Sequence, residues 1–286
     1  MKKIFFPIIV LLIVSMCSCR FSGSFTEDTT AEYKSPYATD INGDLVPAID
    51  DVEESPLDPM LFSVDENGRM TYADSSQLLL SGIDVSVFQG DIDWNAVKSD
   101  GIDFVMLRAG FRGYGSKGIM QADEKFEENY EGAANAGLKV GVYFYSQALN
   151  SEEAVEEARF LLEILDGKTL SFPVAYDWEY VDNDDARTKD MTSEKITECA
   201  KAFCDEIRAN GYQAVVYLNC ELGYFEYDLK ILENYDFWLA EYNHYPSFLY
   251  EYKIWQYSTK GEVAGIDGNV DMNISVVDYS DRITVG

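Results

Sequence analysis

Between residues 82 and 278, short apolar runs alternate with longer segments of helical spacing. The apolar runs predict strands at Ile83–Val87, Phe104–Ala109, Lys139–Tyr145, Phe172–Trp178, Gln213–Leu218, Phe237–Tyr242, Tyr252–Tyr257 and Val270–Ser275. Most are rich in β-branched or aromatic residues and bounded by turn formers. Three intervening segments carry helix signals. One opens at Asp123 and closes at Gly137, and a second runs from Asn150 or Ser151 to about Leu165, before Gly167. A third opens at Thr192 or Ser193 and ends at Asn210-Gly211. In each, a side-chain oxygen can satisfy the first free N–H groups, and a glycine can take the left-handed turn at the end. After Leu218, Tyr242 and Tyr257 the helical pattern is weak. Eight strands with interleaved helices predict an α/β fold: an irregular (β/α)8-like TIM-type barrel over residues 81–286, with some helices missing or shortened. A doubly wound open sheet is the alternative, but no glycine-rich nucleotide loop follows any strand.

The N-terminus follows a different pattern. Lys2 and Lys3 precede an apolar run from Ile4 to Met16. That run is too short for a membrane span, which needs about 20 residues, and has the form of an export signal over residues 1–19. Ser18-Cys19 at its end predicts lipidation at Cys19 and a membrane anchor facing the cell wall, with plain secretion as the alternative. Residues 20–80 are acidic and polar, with Pro36, Pro47, Pro56 and Pro59 dispersed through them, and predict a flexible spacer. Within it, Met60-Leu-Phe-Ser-Val64 and Arg69-Met-Thr-Tyr72 flank Asp65-Glu-Asn-Gly68, the pattern of a small hairpin that should pack on the main domain.

Composition narrows the chemistry by exclusion. The net charge is −29, which would repel nucleic-acid phosphates. His244 is the only histidine, and its setting in Glu241-Tyr-Asn-His-Tyr245 reads as a polar loop. Triads that use a histidine base and HExxH metal sites are therefore poorly served. Cys199, Cys204 and Cys220 have no zinc-site spacing; buried thiols are expected, with a Cys204–Cys220 bridge as the alternative. No metal or cofactor is implied. Catalysis, if present, should run on carboxylates.

Four acids sit where strands should meet the mouth of a barrel: Asp84, Asp177, Glu179 and Asp271. In Pro173-Val-Ala-Tyr-Asp177-Trp-Glu179 the two acids are separated by one residue, so on a strand they share a face. Paired carboxylates suit glycoside cleavage, in which one protonates the leaving oxygen and the other supports the developing oxocarbenium ion. Aromatics at 14%, including 20 Tyr, suit stacking on sugar faces, although any single ring is about as often core.

The run Gly82-Ile-Asp84-Val-Ser86-Val-Phe-Gln89-Gly90-Asp-Ile-Asp-Trp94 resembles the opening of the glycoside hydrolase family 25 lysozymes, the Chalaropsis-type muramidases. The resemblance continues through Phe104-Val-Met-Leu-Arg108-Ala109-Gly110, Asn135-Ala-Gly137-Leu-Lys-Val-Gly141-Val-Tyr143-Phe144 and Pro173 to Glu179. It ends with Trp238-Leu-Ala240-Glu-Tyr242, Ile254-Trp255-Gln256-Tyr257-Ser258 and Gly268-Asn-Val-Asp271-Met-Asn273. Nothing before residue 81 is covered.

The resemblance implies an irregular barrel that cuts the β-1,4 bond between N-acetylmuramic acid and N-acetylglucosamine in peptidoglycan glycan strands. It implies Glu179 as general acid and Asp177 as its partner, either a nucleophile or the orienter of the substrate acetamido group. Asp84 and Asp271 would line the same acidic site, with Tyr143, Tyr217, Trp255 and Gln256 as candidate substrate-binding residues. Trp178 and Phe144 depart from the family pattern, Phe144 standing where a histidine is expected. Two other readings remain open at this level: a wall-binding protein that grips glycan without cutting it, and a hydrolase of another surface glycan.

Overall fold

The computed structural model describes residues 35–282. The signal segment and Cys19 lie outside the described residues. A small antiparallel pair, β1 (Tyr37–Thr39) and β2 (Leu45–Pro47), comes first. A hairpin follows, β3 (Phe62–Val64) and β4 (Met70–Tyr72), with Phe62 opposite Tyr72. The main sheet then begins with β5 (Leu80–Val85), leading through helix α1 (Trp94–Ser99) to β6 (Phe104–Arg112) and the short β7 (Met120–Ala122). Next come α2 (Phe126–Asn135), β8 (Lys139–Ser146), α3 (Ser151–Leu165), β9 (Val174–Trp178), α4 (Ser193–Ala209) and β10 (Ala214–Asn219). The chain ends with β11 (Asp236–Ala240), β12 (Ile254–Gly261) and β13 (Val270–Ser275).

Eight of these strands close into a barrel in the order β5, β6, β8, β9, β10, β11, β12, β13, with β13 returning to β5. The strands from β5 to β12 in that ring run parallel. The last strand, β13, runs antiparallel to both neighbours. The fold is thus mixed α/β around an eight-stranded closed barrel. Two of the three expected caps are present: Asn150 accepts from the Glu153 N–H at 2.9 Å to start α3, and Thr192 accepts from Lys195 to start α4, whereas α2 begins after Lys125 with no side-chain cap rather than at Asp123. No α-helix follows β10, β11 or β12 among the described residues, where the sequence pattern is weak. No described helix is long and apolar enough to cross a membrane.

Period-two alternation sorts the strands into two cores. Phe104, Met106, Ala175, Val215, Trp238 and Ile254 point inward and fill the barrel. Val105, Phe144, Val174, Tyr176, Trp178, Val216 and Leu239 point outward into the layer that the helices and loops cover. Phe104 stacks on Phe172 at 4.4 Å, and Phe172 meets Tyr279 edge-on at 5.3 Å. The narrow interior demands small residues beside these rings. A Cβ on Gly82 would fall 2.3 Å from the Phe104 ring, and one on Gly141 would fall 2.7 Å from the Pro173 carbonyl oxygen.

Contrary to the expected flexible spacer, the part of it from Pro36 to residue 80 belongs to the compact unit. The Ser55 N–H donates to the Leu249 carbonyl at 2.8 Å, and the Glu251 N–H to the Glu53 carbonyl at 3.0 Å. Leu57, Phe62 and Met70 are buried in the outer core. These few apolar anchors are diluted among acids and prolines, so composition averaged over the stretch conceals them. The three described cysteines carry free thiols, two of them buried.

Candidate active site

The barrel opens on a cavity of about 490 Å³. All four acids line it: Asp84 from β5, Asp177 from β9, Glu179 just beyond β9, and Asp271 from β13. Parity explains the pair on β9. Ala175 points into the barrel, so Asp177 and Glu179 follow on the same side, while Trp178 between them is buried in the outer layer. Asp271 reaches the mouth by a route the sequence pattern did not convey. It lies near the start of β13, and only the reversed direction of that strand brings it opposite Asp84.

A hydrogen-bonded lattice fixes Asp84. Its Oδ2 accepts from Gln256 Nε2 and from Asn273 Nδ2, each at 2.7 Å. Gln256 Oε1 in turn accepts from the hydroxyls of Tyr217 at 3.0 Å and Tyr242 at 2.8 Å. Asn273 Oδ1 accepts from Trp238 Nε1 at 2.8 Å. The rings of Tyr217 and Tyr143 both meet Trp238 edge-on. One carboxylate is therefore locked by two amides, which Tyr217, Tyr242 and Trp238 hold in place. Asp177 differs: it is buried, and its Oδ1 has no hydrogen-bond partner among the described residues.

Burial raises the pKa of every acid in the cluster. Asp84 is pushed up to about 7 by burial and by the neighbouring Asp271 charge, against the pull of its two amide donors. Asp177 is held well above the carboxylate range by burial, then by Glu179 and Asp84, with Arg108 opposing. Burial and Asp271 raise Glu179, which is half-buried at the rim, and burial raises Asp271. Such a cluster holds protons near neutral pH, as a general acid requires.

Of the expected substrate-binding residues, Tyr143, Tyr217 and Gln256 line the cavity. Trp255 does not, contrary to expectation. Gln256 faces inward, so its neighbour Trp255 must face outward; it is 0% exposed and packs against Phe62 of the hairpin at 5.1 Å. Its Nε1 donates to the Glu241 carbonyl. Several lining residues were not singled out from sequence, among them Arg108, Tyr145 and Tyr242. Tyr145 lies two positions beyond Tyr143 and opposite Asp177 in register, so alternation could have found it. Arg108 is a cation in the middle of a largely apolar strand that also carries Arg112 at its end. It pairs with Asp123 at 2.8 Å and lies against the rings of Phe88 and Phe111.

The profile of the glycosyl hydrolases family 25 matches residues 83–266. The chain belongs to this family. Similar proteins include the autolytic lysozyme of Clostridium acetobutylicum, 29% identical over 209 residues that cover 72% of this chain and 58% of that protein. Lysozyme M1 of Streptomyces globisporus is 28% identical over 209 residues, covering 68% of this chain and 67% of its own. Among solved structures, the modular autolysin LytC from Streptococcus pneumoniae superposes with a TM-score of 0.59 at 25% identity, covering 83% of this chain and 56% of that one. This chain thus spans little more than half the length of the clostridial and pneumococcal proteins. The matched family 25 segment contains Asp84, Asp177 and Glu179; Asp271 and the hairpin lie outside it.

Proposed function

We propose that the chain is a muramidase that cuts the β-1,4 bond between N-acetylmuramic acid and N-acetylglucosamine in peptidoglycan. The observation that carries this reading is the placement of Asp177 and Glu179 on one face at the barrel mouth, inside an aromatic-lined cavity with two further acids. Glu179, half-buried at the rim with a raised pKa, gives its proton to the bridging oxygen as the C1–O bond breaks. Asp177 takes the second role in its ionised form, which the nearby Arg108 favours, either bonding to C1 itself or holding the 2-acetamido N–H while the acetamido oxygen attacks. Both versions need a carboxylate oxygen with no internal partner, and Asp177 Oδ1 is such an atom. Water then releases the sugar, and Glu179 recovers a proton from it. Asp84 keeps the Gln256 and Asn273 amides fixed around the site.

The barrel is best read as a (β/α)8 type in which the eighth strand has reversed and the connections after β10, β11 and β12 have lost their α-helices, a short π-helix at Leu222–Glu226 standing after β10. The export signal, with Cys19 as lipid attachment point, would place the enzyme outside the cytoplasm against the wall.

Mass spectrometry of muropeptides tests the function. The chain incubated with purified peptidoglycan should release fragments with reducing N-acetylmuramic acid ends, and Glu179→Gln should release them roughly 10²- to 10⁴-fold more slowly. Folded wild type that binds wall but releases nothing would turn the reading to a glycan-binding protein. Different reducing ends would keep the hydrolase and change the bond.

A further inference from the structure

Glu179 stands where the sheet no longer holds the chain. The pairing of β8 with β9 ends at Ser146 opposite Trp178, and that of β10 with β9 ends at Val216 opposite Tyr176. Glu179 is therefore the first residue of a long connection that reaches α4 only at Ser193. An irregular segment places a side chain accurately only when its backbone is tied down from outside.

Gln147, just beyond β8, supplies such a tie. It is 0% exposed, and its side chain reaches two distant points of the connection. Nε2 donates to the Ser146 carbonyl at 2.9 Å and, over a longer 3.5 Å, to the Glu179 carbonyl. Oε1 accepts from the hydroxyl of Thr188, itself buried, at 2.8 Å. Beside Thr188, the Arg187 N–H donates to the Tyr114 carbonyl at 2.9 Å, and the Arg187 guanidinium meets Glu153 of α3 at 2.7 Å.

A buried ion pair holds Gln147 in its turn. Glu157 of α3 is buried and accepts from the Gln147 N–H at 3.2 Å, Arg112 Nε at 2.7 Å and Ser146 Oγ at 2.6 Å. Ser146 Oγ also lies 3.1 Å from the hydroxyl of Tyr176, the residue before Asp177. Phe144, Leu161 and Phe203 fill the outer core apolarly. Placing an ion pair in such a layer costs desolvation and adds little stability by itself. What it adds is direction. Each bond has a fixed donor and acceptor, so the main chain at Glu179 has one place to stand.

We infer that Gln147 is a positioning residue for the general acid. By bridging the Glu179 carbonyl and Thr188 it fixes where the Glu179 carboxyl meets the scissile oxygen, and the Glu157–Arg112 pair fixes Gln147. The inference rests on the muramidase reading for the role of Glu179. Proton donation depends on such placement, and a displacement of about 1 Å costs up to about a hundredfold in rate.

Gln147→Met keeps the length of the side chain and loses both amide functions. At a temperature where circular dichroism shows it folded, its kcat on a soluble glycan should fall about ten- to hundredfold, with KM changed by less than about twofold. Thr188→Val removes one hydroxyl and should move kcat the same way, and Thr188→Ser should recover the loss. Carbon-13 NMR follows the Glu179 carboxyl directly, its signal assigned by its loss in Glu179→Gln. That carboxyl should titrate at lower pH in Gln147→Met, because a released side chain gains water. Should Gln147→Met not fold, the two Thr188 variants carry the same readings. Unchanged kcat and an unchanged Glu179 titration in the folded variants overturn the inference, as does a loss confined to the melting temperature. If the wild type releases no reducing muramic acid ends while the Glu179 titration still moves, the muramidase reading fails and the tie on Glu179 stands.

Discussion

Asp84 and Asp271 face each other across β5 and β13, two strands that run in opposite directions. The Asp271 charge is the largest contribution after burial to the elevated pKa of Asp84, and it raises Glu179 as well. Asp271→Asn should therefore lower both. The alkaline limb of the pH–activity profile should move toward acid by about one unit, since a neighbouring like charge in a buried site is worth about that much. Rates on a soluble glycan from pH 4 to 9 check this. An unmoved limb would show that Asp271 does not act on the titrating acid.

The same cluster sets a sign for stability. Acids with raised pKa bind protons in the folded state that the unfolded chain has already released. Stability then falls as pH climbs from about 4, the ordinary carboxylate range, through about 7, where Asp84 titrates. Glu179→Gln removes one member of the cluster, so its melting temperature should match wild type near pH 4 and exceed it by about 3–6 °C at pH 7.5. Activity should drop by roughly 10²- to 10⁴-fold. A variant less stable than wild type at pH 7.5 would contradict the strain assigned to the cluster.

Strands and helices were legible because their signals are local: alternation, caps and glycine stops. The pair Asp177 and Glu179 was legible for the same reason, being two residues apart on one strand. The direction of β13 was not, because antiparallel closure depends on what the strand meets rather than on its own residues. Trp255 and Gln256 show the limit most plainly. Adjacent residues on a strand cannot both face one cavity, yet both stand in a family motif. Alternation alone would have demanded a choice; the apolar Phe62 of the hairpin, far away in sequence, explains which one is covered.

The hairpin contact makes a prediction of its own. Phe62→Ala would empty a buried position against Trp255 and should destabilise the fold by about 3 kcal/mol. Tryptophan emission should shift to the red as water reaches the indole. A melting temperature within error of wild type would mean that the hairpin is not seated on the barrel.

Gly141 offers a test of the barrel interior. It pairs with Met106 in register, and an added Cβ would approach the Met106 sulfur at 2.6 Å and the Pro173 carbonyl oxygen at 2.7 Å. The backbone oxygen cannot move without disturbing β8 and β9 together. Gly141→Ala should cost about 1–3 kcal/mol in chemical denaturation. The distortion reaches β9, so activity at a temperature where the variant remains folded should fall too. Full activity with lowered stability would show that the catalytic pair does not depend on this packing.

Asp84 separates structure from catalysis most sharply. Its Oδ2 is the shared acceptor for Gln256 and Asn273, both buried, and those amides tie down Tyr217, Tyr242 and Trp238. Asp84→Ala would leave two buried donors without an acceptor, at about 2–4 kcal/mol together. Asp84→Asn keeps an oxygen where Oδ2 stands and removes the charge. It should recover most of that stability, and at neutral pH it should gain from the relief of repulsion with Asp271. If Asp84 acts only by holding the amides, the asparagine variant will keep most of the activity. If its charge also raises the pKa of Asp177, which that charge faces, the asparagine variant will be stable and the acidic limb of its pH profile will move to lower pH, because Asp177 then ionises more readily. The raised pKa of Asp177 predicts the second result, and pH–rate profiles for the two variants at matched folded fraction decide between them.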